Sequence, residues 1–235
     1  MTYYDSCRQP AVLLPYLPYW QLIDCADLFL VCDDCAYMKG SWIPRNRILV
    51  NGKWQYFRIE IVDQSCHRLI KDTRVADFDA ANKLRTLWMA YHRAPCFNDA
   101  YEVLEKVITC PERGLSDFLV NSVRLICDYL GITTTIGFTS GVPGNGLLRR
   151  EESIYHFCNY LGADTYVNAT GGRALYSPSE FRAHGIELRF LDTRAGAYKQ
   201  YGSGFVPGLS IVDAMMFVPR EQLREMLDQR VLSYE

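Results

Sequence analysis

The segment QPAVLLPYLPYWQLIDCADLFLVCDDCAYMKGSWIPRNR, residues 9–47, decides the fold because a buried strand in it leads directly into a cluster of polar groups. Residues 28–31, LFLV, are a continuous apolar run, which is typical of a strand covered on both faces. A short helix is predicted before it, over residues 16–26. The strand leads to Asp33 and Asp34, and open α/β sheets build their sites just beyond the carboxyl ends of such strands.

Turn and periodicity signals predict the rest of the fold. Alternating helices and buried strands favour an α/β protein with a parallel-rich, Rossmann-like sheet and helices on both faces. Residues 48–62 are predicted to form a β-hairpin around the Asn51-Gly52 turn, as an insertion or as an antiparallel edge. Residues 78–131 have apolar side chains at helical spacing, which predicts a helical insert or cap.

We expect a single α/β domain over residues 1–235. The flexible stretch GVPGNG at 141–146 is interpreted as a loop and not as a linker, because a helix and a strand follow it at once. Residues 1–8 are polar and are expected to be loose. The last helix is expected at about 210–229.

Composition restricts the possible partners. The chain has 235 residues, of which 49% are hydrophobic and 22% charged, so it has enough apolar side chains to bury a sizeable core. Its net charge of -2 gives no general attraction to nucleic acid or to an anionic membrane. No apolar run reaches the roughly 18 residues of a membrane span. We therefore expect neither DNA binding nor membrane insertion, although RNRILVNGK at 45–53 is a local basic patch.

Cysteine usage indicates a reducing compartment. The nine cysteines are odd in number and irregular in spacing, and no secretory signal precedes them, so reduced thiols in the cytoplasm are expected. Cys32 and Cys35 form a CxxC motif, but a zinc ribbon needs a second pair, and a thioredoxin-like pair normally opens a helix. No metal is assigned, no flavin or NAD is implied, and a redox role for this pair is left open.

Asp33 and Asp34 are the candidate catalytic groups. Such carboxylates can bind Mg²⁺, act as a general base or hold a pair of sugar hydroxyls. Adjacent residues in a strand point to opposite faces, so only one of the two is expected to face the site. The alternative interpretation is a salt bridge with Arg45 or Arg47.

A second candidate element is the turn TGGR at 170–173, which follows a predicted strand ending at Asn168. Gly171 and Gly172 allow a ligand to approach the backbone, and Arg173 can pair with phosphate in a bidentate way. The nucleotide fingerprints GxGxxG and GxxxxGK[ST] are absent, so an anion cradle and an ordinary tight turn are equally good interpretations.

Several runs of this sequence together resemble the signature of the WbqC-like family, and they cover nearly the whole chain. They are QP, PYLPYWQLI, FLVCDD, RNRI, NGKWQYF, YHRAPCF, LICDYLGI, LGADTYVNATGG and YKQYGSGFVPGLSIVDAMM. The chain departs from the family pattern at Arg8, where members usually carry His or Met, and at Pro18, where Gly is frequent. The family occurs among bacterial O-antigen and other surface-polysaccharide genes. The resemblance implies the role proposed for that family, which is transfer of glycine to an amino sugar.

The resemblance and the residue patterns together give the expected site. Expected to be catalytic are Asp33, Asp34 and Lys39. Expected to bind substrate are Gln9, Tyr37, Trp42, Arg45, Asn46, Arg47, Asn168, Gly171, Gly172, Arg173, Tyr198, Gln200 and Asp213. Strands 28–32 and 164–168 are expected to lie side by side or nearly so, with the aspartates and NATGGR facing one cleft.

The leading functional hypothesis is an aminoacyl transferase that joins glycine or a related residue to a nucleotide-linked amino sugar by an amide bond. Its donor would be an aminoacyl-tRNA or an acyl phosphate. One aspartate would act as base, Arg45, Arg47 and Arg173 would bind diphosphate, and Lys39 or the TGG amides would stabilise the oxyanion. The alternatives are a non-catalytic sugar-nucleotide-binding protein and an ATP- and Mg²⁺-dependent nucleotidyl transferase. The oligomeric state is left open.

Overall fold

The computed structural model describes residues 5–148, 150–194, 196–202 and 204–234. In chain order the elements are β1 Asp5–Gln9, α1 Leu17–Asp24, β2 Leu28–Val31, β3 Arg45–Val50, β4 Lys53–Arg58, α2 Ala80–Tyr91, α3 Phe97–Ile108, α4 Leu115–Leu130, β5 Thr135–Phe138, α5 Arg150–Leu161, β6 Thr165–Ala169, α6 Pro178–Ala183, β7 Glu187–Thr193, α7 Ile211–Phe217, α8 Arg220–Asp228 and β8 Arg230–Ser233. No helix among the described residues is both long and apolar enough to cross a membrane.

The main sheet has six strands in the order β5-β2-β1-β6-β7-β8. Strands β5, β2, β1, β6 and β7 are mutually parallel, and β8 is antiparallel to β7. The chain proceeds outward from β1 to β2 and β5, and then returns to the other side of β1 with β6. The order of strands therefore reverses between β1 and β6, which is where open α/β sheets have their binding crevice.

Alternate residues of the central strands enter two separate cores. On β2, Phe29 and Val31 join a large core that includes residues of α1, α2, α3, α4, α7 and α8. Leu28 and Leu30 join a smaller core that includes residues of α5 and α6. Both faces of the sheet are thus covered by helices, and the predicted α/β class, the parallel-rich sheet and the helical insert at 78–131 are confirmed.

The predicted hairpin is an insertion, because β3 and β4 form a two-stranded sheet of their own. Its turn is Asn51-Gly52, with φ values of 50° and 73°. The hairpin covers residues 45–58 and not 48–62. It stops at Arg58 because the chain then turns to another partner, and Ile61 forms an isolated bridge with Val75.

The prediction of a loose segment at 1–8 is wrong for residues 5–8, which belong to β1 and lie inside the sheet; residues 1–4 lie outside the described residues. The polar composition of DSCRQ concealed this strand. Ser6 is nevertheless fully buried, because its hydroxyl donates to the carbonyl oxygen of Thr165 at 3.1 Å. A polar side chain with a partner can occupy the interior of a sheet.

The prediction of one last helix at 210–229 is also wrong. Helix α7 ends at Phe217, and α8 begins at Arg220 after Pro219. Proline has no N–H for the helical ladder and disfavours the α conformation of the residue before it, here Val218, which is extended. The residues after α8 form β8 and complete the sheet beside β7.

Candidate functional site

The carboxyl ends of β1 and β6 are joined by a side-chain hydrogen bond. Nε2 of Gln9 donates to Oδ1 of Asn168 at 2.9 Å. The single helical turn Thr170–Gly172 follows β6 and lies against this pair. A Cβ atom at Gly172 would lie 2.4 Å from Nδ2 of Asn168, so the glycine is needed for this close approach. Strand β1 separates β2 from β6, and those two strands are therefore next-nearest neighbours.

Two adjoining cavities open at this edge of the sheet. The first, called here the glycine cavity, has a volume of about 460 Å³, and its lining includes Gln9, Asn168, Gly171 and Gly172. The second, called here the Asp34 cavity, has a volume of about 790 Å³, and its lining includes Asp34, Asn145 and Ser153. Both cavities are also lined by Arg8, Cys32 and Cys35. These three shared residues form the boundary at which molecules in the two cavities would meet.

The glycine cavity has a second neighbour besides the Asp34 cavity. A groove of about 420 Å³ shares Gln9 and Gly171 with it, and reaches Trp42. A further cavity of about 370 Å³, called here the Trp42 cavity, shares Trp42 with that groove and is also lined by Asn46 and Arg47. The four cavities therefore form a series from the hairpin to the Asp34 cavity, in which each shares lining residues with the next.

The two aspartates have different surroundings. Asp33 is buried and lines neither cavity at this edge. Its carboxylate accepts hydrogen bonds from the backbone N–H of Ser140 at 3.0 Å, from Oγ of Ser140 at 2.6 Å and from Oγ1 of Thr139 at 3.3 Å. Asp34 is half-buried and lines the Asp34 cavity, where it accepts from Thr139 at 2.6 Å and from Nδ2 of Asn145 at 3.4 Å. Asp34 is thus the carboxylate that a ligand can reach.

The alternative of a salt bridge from these aspartates to the hairpin arginines is not observed. Within the described ranges, no ion pair joins Asp33 or Asp34 to Arg45 or Arg47. The aspartates instead receive hydroxyl, amide and backbone donors from the turn after β5. Among the residues that the structure describes, neither carboxylate forms an ion pair with a lysine or arginine side chain.

Cys32 and Cys35 are joined by a disulfide, which differs from the expected free thiols. The end of β2 brings their Cα atoms to 6.1 Å, within the range that a disulfide spans. Donor atoms of Cys32, Asp34 and Cys35 lie within 4.8 Å of one another, so two thiolates and a carboxylate have the spacing of metal ligands when the pair is reduced.

Arg8 is a site residue that the sequence did not reveal as one. Its guanidinium donates to Oγ of Ser153 and lies 6.0 Å from the ring centre of Phe157. The sequence distinguishes Arg8 only as a departure from the family pattern at the position before Gln9. That position was itself the signal, because a long cation beside Gln9, an expected binding residue, can line both cavities.

Three of the four predicted residues in and beside the hairpin, Trp42, Asn46 and Arg47, line the Trp42 cavity, whereas Arg45 does not. Asn46 is buried; its Nδ2 donates to the carbonyl oxygen of Leu13 at 3.2 Å, and its Oδ1 accepts from the backbone of Arg47. Trp42 is exposed and lies beside the guanidinium groups of Arg45 and Arg47. The structure thus brings these four predicted residues together, at some remove from the aspartates.

Tyr37 and Lys39 do not line any of the four cavities described above. The Tyr37 side chain is fully buried in the large core, and burial raises its pKa, while Arg45 lowers it. Lys39 is exposed in the turn before Gly40. The predicted roles of both residues, in binding and in catalysis respectively, stay predictions.

The side chain of Arg173 contacts residues of β7 and β8. Its Nη2 donates to Oδ2 of Asp192 at 2.9 Å and also to Oγ of Ser233, and the guanidinium lies 4.9 Å from the ring centre of Phe190. The expected convergence of Arg173 with Asp33 and Asp34 on one cleft is therefore not observed. Residues of β7 and β8 engage this cation, and it lines neither the glycine cavity nor the Asp34 cavity.

Tyr198, Gln200 and Asp213 form a buried network. Oδ2 of Asp213 accepts hydrogen bonds from Tyr198 at 3.0 Å and from Gln200 at 2.7 Å, and Oδ1 accepts from Tyr91 at 3.1 Å. Burial raises the pKa of Asp213, and these three hydrogen bonds oppose that rise. Burial likewise raises the pKa of Tyr91 and Tyr198. The three predicted residues meet one another and hold the loop before α7, and their expected contact with substrate stays a prediction.

Comparisons with known proteins agree with the resemblance. Residues 9–225 match the model of the WbqC-like protein family. The chain is 28% identical over 214 residues to the uncharacterized protein Rv1507c of Mycobacterium tuberculosis, with 88% of this chain and 91% of that protein covered. No solved structure matches the chain. Because the family match extends over most of its length, the chain belongs to the WbqC-like protein family.

Proposed function

We propose that this protein is a cytoplasmic aminoacyl transferase, which forms an amide between glycine or a related residue and the amino group of a nucleotide-linked sugar used in surface-polysaccharide synthesis. The observation that carries the proposal is the pair of adjoining cavities that share Arg8, Cys32 and Cys35. A transferase must hold two substrates with their reacting atoms in contact, and two such cavities meet that requirement.

The amino sugar would occupy the larger, Asp34 cavity. The attacking amine is protonated in water, and Asp34 is the accessible carboxylate that can take up its proton. Asp33 would act as a positioning residue. It holds the 139–141 turn, and the hydroxyl of Thr139 in that turn contacts both carboxylates.

The activated aminoacyl group would enter the glycine cavity. The amine nitrogen attacks the acyl carbonyl carbon, so that a C–N bond forms and the bond from that carbon to the leaving oxygen breaks. Asp34 first takes the proton of the ammonium group and releases it to solvent, which leaves the neutral amine that attacks. The second proton, lost from the nitrogen as the C–N bond forms, passes through Asp34 to the leaving oxygen. Arg8, Gly171 and Gly172 line this cavity, and the guanidinium group with the backbone N–H groups of the two glycines would stabilise the developing oxyanion.

The test is a search for the amide product by mass spectrometry. Purified protein is incubated with glycyl-tRNA or glycyl phosphate and a panel of nucleotide-linked amino sugars. We expect a mass increase of one glycyl residue on one sugar, and its loss in Asp34→Asn. Asp77→Asn is the matched control, because the Asp77 side chain is fully exposed and pairs only with Arg113.

Absence of product with every donor and every amino sugar would contradict the proposal. Tight binding of a sugar nucleotide without turnover, with Asp34→Asn altering only the affinity, would favour the alternative of a non-catalytic binding protein. Release of pyrophosphate from ATP would favour nucleotidyl transfer.

A further inference from the structure

Charge is distributed very unevenly along this chain. Residues 35–59 contain five cations (Lys39, Arg45, Arg47, Lys53 and Arg58) and no acidic residue. The other 210 residues carry 20 lysines and arginines against 27 acidic residues. The hairpin therefore presents a locally positive surface on a protein whose net charge is negative. Such a surface attracts a polyanion to the hairpin.

Five side chains of this surface, called here the hairpin platform, alternate rings with guanidinium groups: Trp42, Arg45, Arg47, Trp54 and Tyr56. Tyr56 lies 5.9 Å from Trp42 and 5.5 Å from Trp54 between ring centres. The Arg45 guanidinium is 4.5 Å from the Tyr56 ring, and that of Arg47 is 5.4 Å from Trp42 and 5.5 Å from Trp54. The rings remain 45%, 48% and 43% exposed for Trp42, Trp54 and Tyr56 respectively. Ring surface is therefore free to stack on a ligand.

The two arginines keep unused donors. Arg45 donates to the carbonyl oxygen of Gly40, and Arg47 donates to that of Gly208 at 3.1 Å. The Nε–H group of each arginine is buried without a partner, and no carboxylate in the described ranges pairs with either. A buried donor without a partner is costly, and phosphate oxygens fit the guanidinium group well.

The position of the platform connects it to the proposed chemistry. Trp42 and Arg47 line the Trp42 cavity, and the groove beyond it reaches Gly171 at the glycine cavity. A chain-like ligand that is held by the platform would therefore place its end where the aminoacyl group is expected. Three rings and two cations exceed what a single nucleotide, with its one base, can engage.

We propose that the hairpin platform binds single-stranded RNA, with bases stacked on Trp42 and Trp54 and phosphates held by Arg45 and Arg47. Alternating cations and aromatic rings are how proteins hold unpaired nucleic acid without reading its sequence. An acidic peptide would use the cations but would leave the ring faces without a partner. Resting on the proposed function, the inference names the donor as the unpaired 3′ end of an aminoacyl-tRNA.

Binding is tested without any chemistry. Fluorescence anisotropy follows a labelled unpaired RNA of about ten nucleotides, titrated with the full chain at low salt, since such contacts weaken as salt rises. We expect Trp42→Ala and Trp54→Ala each to weaken binding about five- to hundredfold. The matched control is Trp88→Ala, because Trp88 is 47% exposed and stacks on His92 outside the platform. Trp54→Phe keeps a ring and is expected to bind nearly as the wild type.

The arginines are tested by salt dependence. Arg45→Gln and Arg47→Gln are each expected to reduce the slope of log K against log salt by about 0.7, the value for one phosphate contact on a single strand. Arg220→Gln is the control, since Arg220 lies 5.7 Å from the Tyr129 ring, outside the platform. The slope of this variant is expected to be unchanged.

Three results would overturn the inference: no RNA binding at low salt, RNA affinity unaltered in the tryptophan variants, or equal affinity for duplex RNA or for a nucleoside diphosphate. The result is separable from that of the proposed function. RNA binding that is lost in the platform variants supports the platform even if no amide forms. Amide formation from glycyl phosphate without RNA binding overturns the platform alone.

Discussion

Gln9 and Asn168 are joined by a hydrogen bond of 2.9 Å that links the carboxyl ends of two neighbouring parallel strands. The same Oδ1 atom of Asn168 accepts from the backbone N–H of Ala169, also at 2.9 Å. With its oxygen held twice, the Asn168 side chain directs its Nδ2 toward Gly172. The hydrogen bond between these two side-chain amides thus fixes part of the lining of the glycine cavity and the adjacent turn Thr170–Gly172.

Replacement of Gly172 by alanine is expected to destabilise the fold. The new Cβ would lie 2.4 Å from Nδ2 of Asn168, so the turn or the amide must move. Overpacking of this kind costs about 1–3 kcal/mol of the free energy of unfolding, which urea denaturation measures. Gly171→Ala is the matched control, because nothing lies within 4 Å of its Cβ position, and its effect is expected to stay within about 0.5 kcal/mol.

The double variant Gly172→Ala with Asn168→Ala tests whether crowding against Asn168 causes the loss of stability in Gly172→Ala. Shortening Asn168 removes the atom that the new methyl group meets. We expect the double variant to lose less stability than the sum of the two single variants. Additive losses would show that the contact with Asn168 is not the reason for glycine at this position.

Conversion to asparagine is expected to affect a different property at each aspartate, the reaction rate at Asp34 and the stability at Asp33. Asp34→Asn should lower the rate of the proposed transfer by about 10²- to 10⁴-fold, because the proposed general base is lost, with little change in stability. Asp33→Asn should lower the free energy of unfolding by about 1–3 kcal/mol, because a buried oxygen that accepts from Ser140 is replaced by a donor. Steady-state kinetics and urea denaturation of both variants provide the comparison, and equal effects would contradict the assignment.

Thiol reactivity is expected to separate the free cysteines by burial. Cys66 is exposed and should react at once with a thiol reagent at pH 8. Burial raises the pKa of Cys127 and Cys158 to about 12, which leaves about a thousandfold less thiolate than a thiol of pKa 9 has. Both should react only after unfolding. Cys66→Ser should remove the fast phase, and a fast phase that persists in this variant would refute the assignment.

Asp213 is expected to make stability depend on pH. Burial raises its pKa in the folded state above the ordinary value of 3.8, so its stabilising contribution is fully present below that value and is lost as pH rises through the folded pKa. The asparagine variant lacks this dependence. The stability deficit of Asp213→Asn should therefore be largest in acid and shrink toward neutral pH, as measured by urea denaturation across that range.

Tyr198, which donates a hydrogen bond to Asp213, provides a second test of this pH dependence of stability. The hydrogen bond from Tyr198 lowers the pKa of Asp213, so Tyr198→Phe should move the pH window of the stability loss to higher values. Parallel pH profiles for wild type, Tyr198→Phe and Asp213→Asn would rule out titration of this carboxyl group.

The parts of the fold that could be predicted are those with a local cause. LFLV at 28–31 is apolar enough to be recognised as a buried strand, and Asn51-Gly52 specifies its own turn. Strand β1 could not be predicted in the same way. The buried hydroxyl of Ser6 donates its hydrogen bond to the carbonyl oxygen of Thr165, which lies far along the chain.

Part of the candidate site could also be predicted, because local sequence signals place some of its residues at strand ends. Asp34, Gln9 and Asn168 follow or end strands, and parallel strands place those ends together. The sequence could not show that Arg173 would pair with Asp192, because the partner comes from the neighbouring strand and not from a nearby position. Chain spacing likewise does not reveal that Arg8 lies between two cavities.

The pairing of β1 has a consequence for how the protein is made. Ser6 pairs with Leu28 on one side and with Tyr166 on the other. During synthesis the first neighbour is available early, whereas the second emerges from the ribosome only after most of the chain has been translated. Until then one edge of the nascent β1–β2 pair has unsatisfied N–H and C=O groups, which is a template for wrong pairing. Expression at low temperature, or with a chaperone that covers open strand edges, should therefore improve the yield of folded protein.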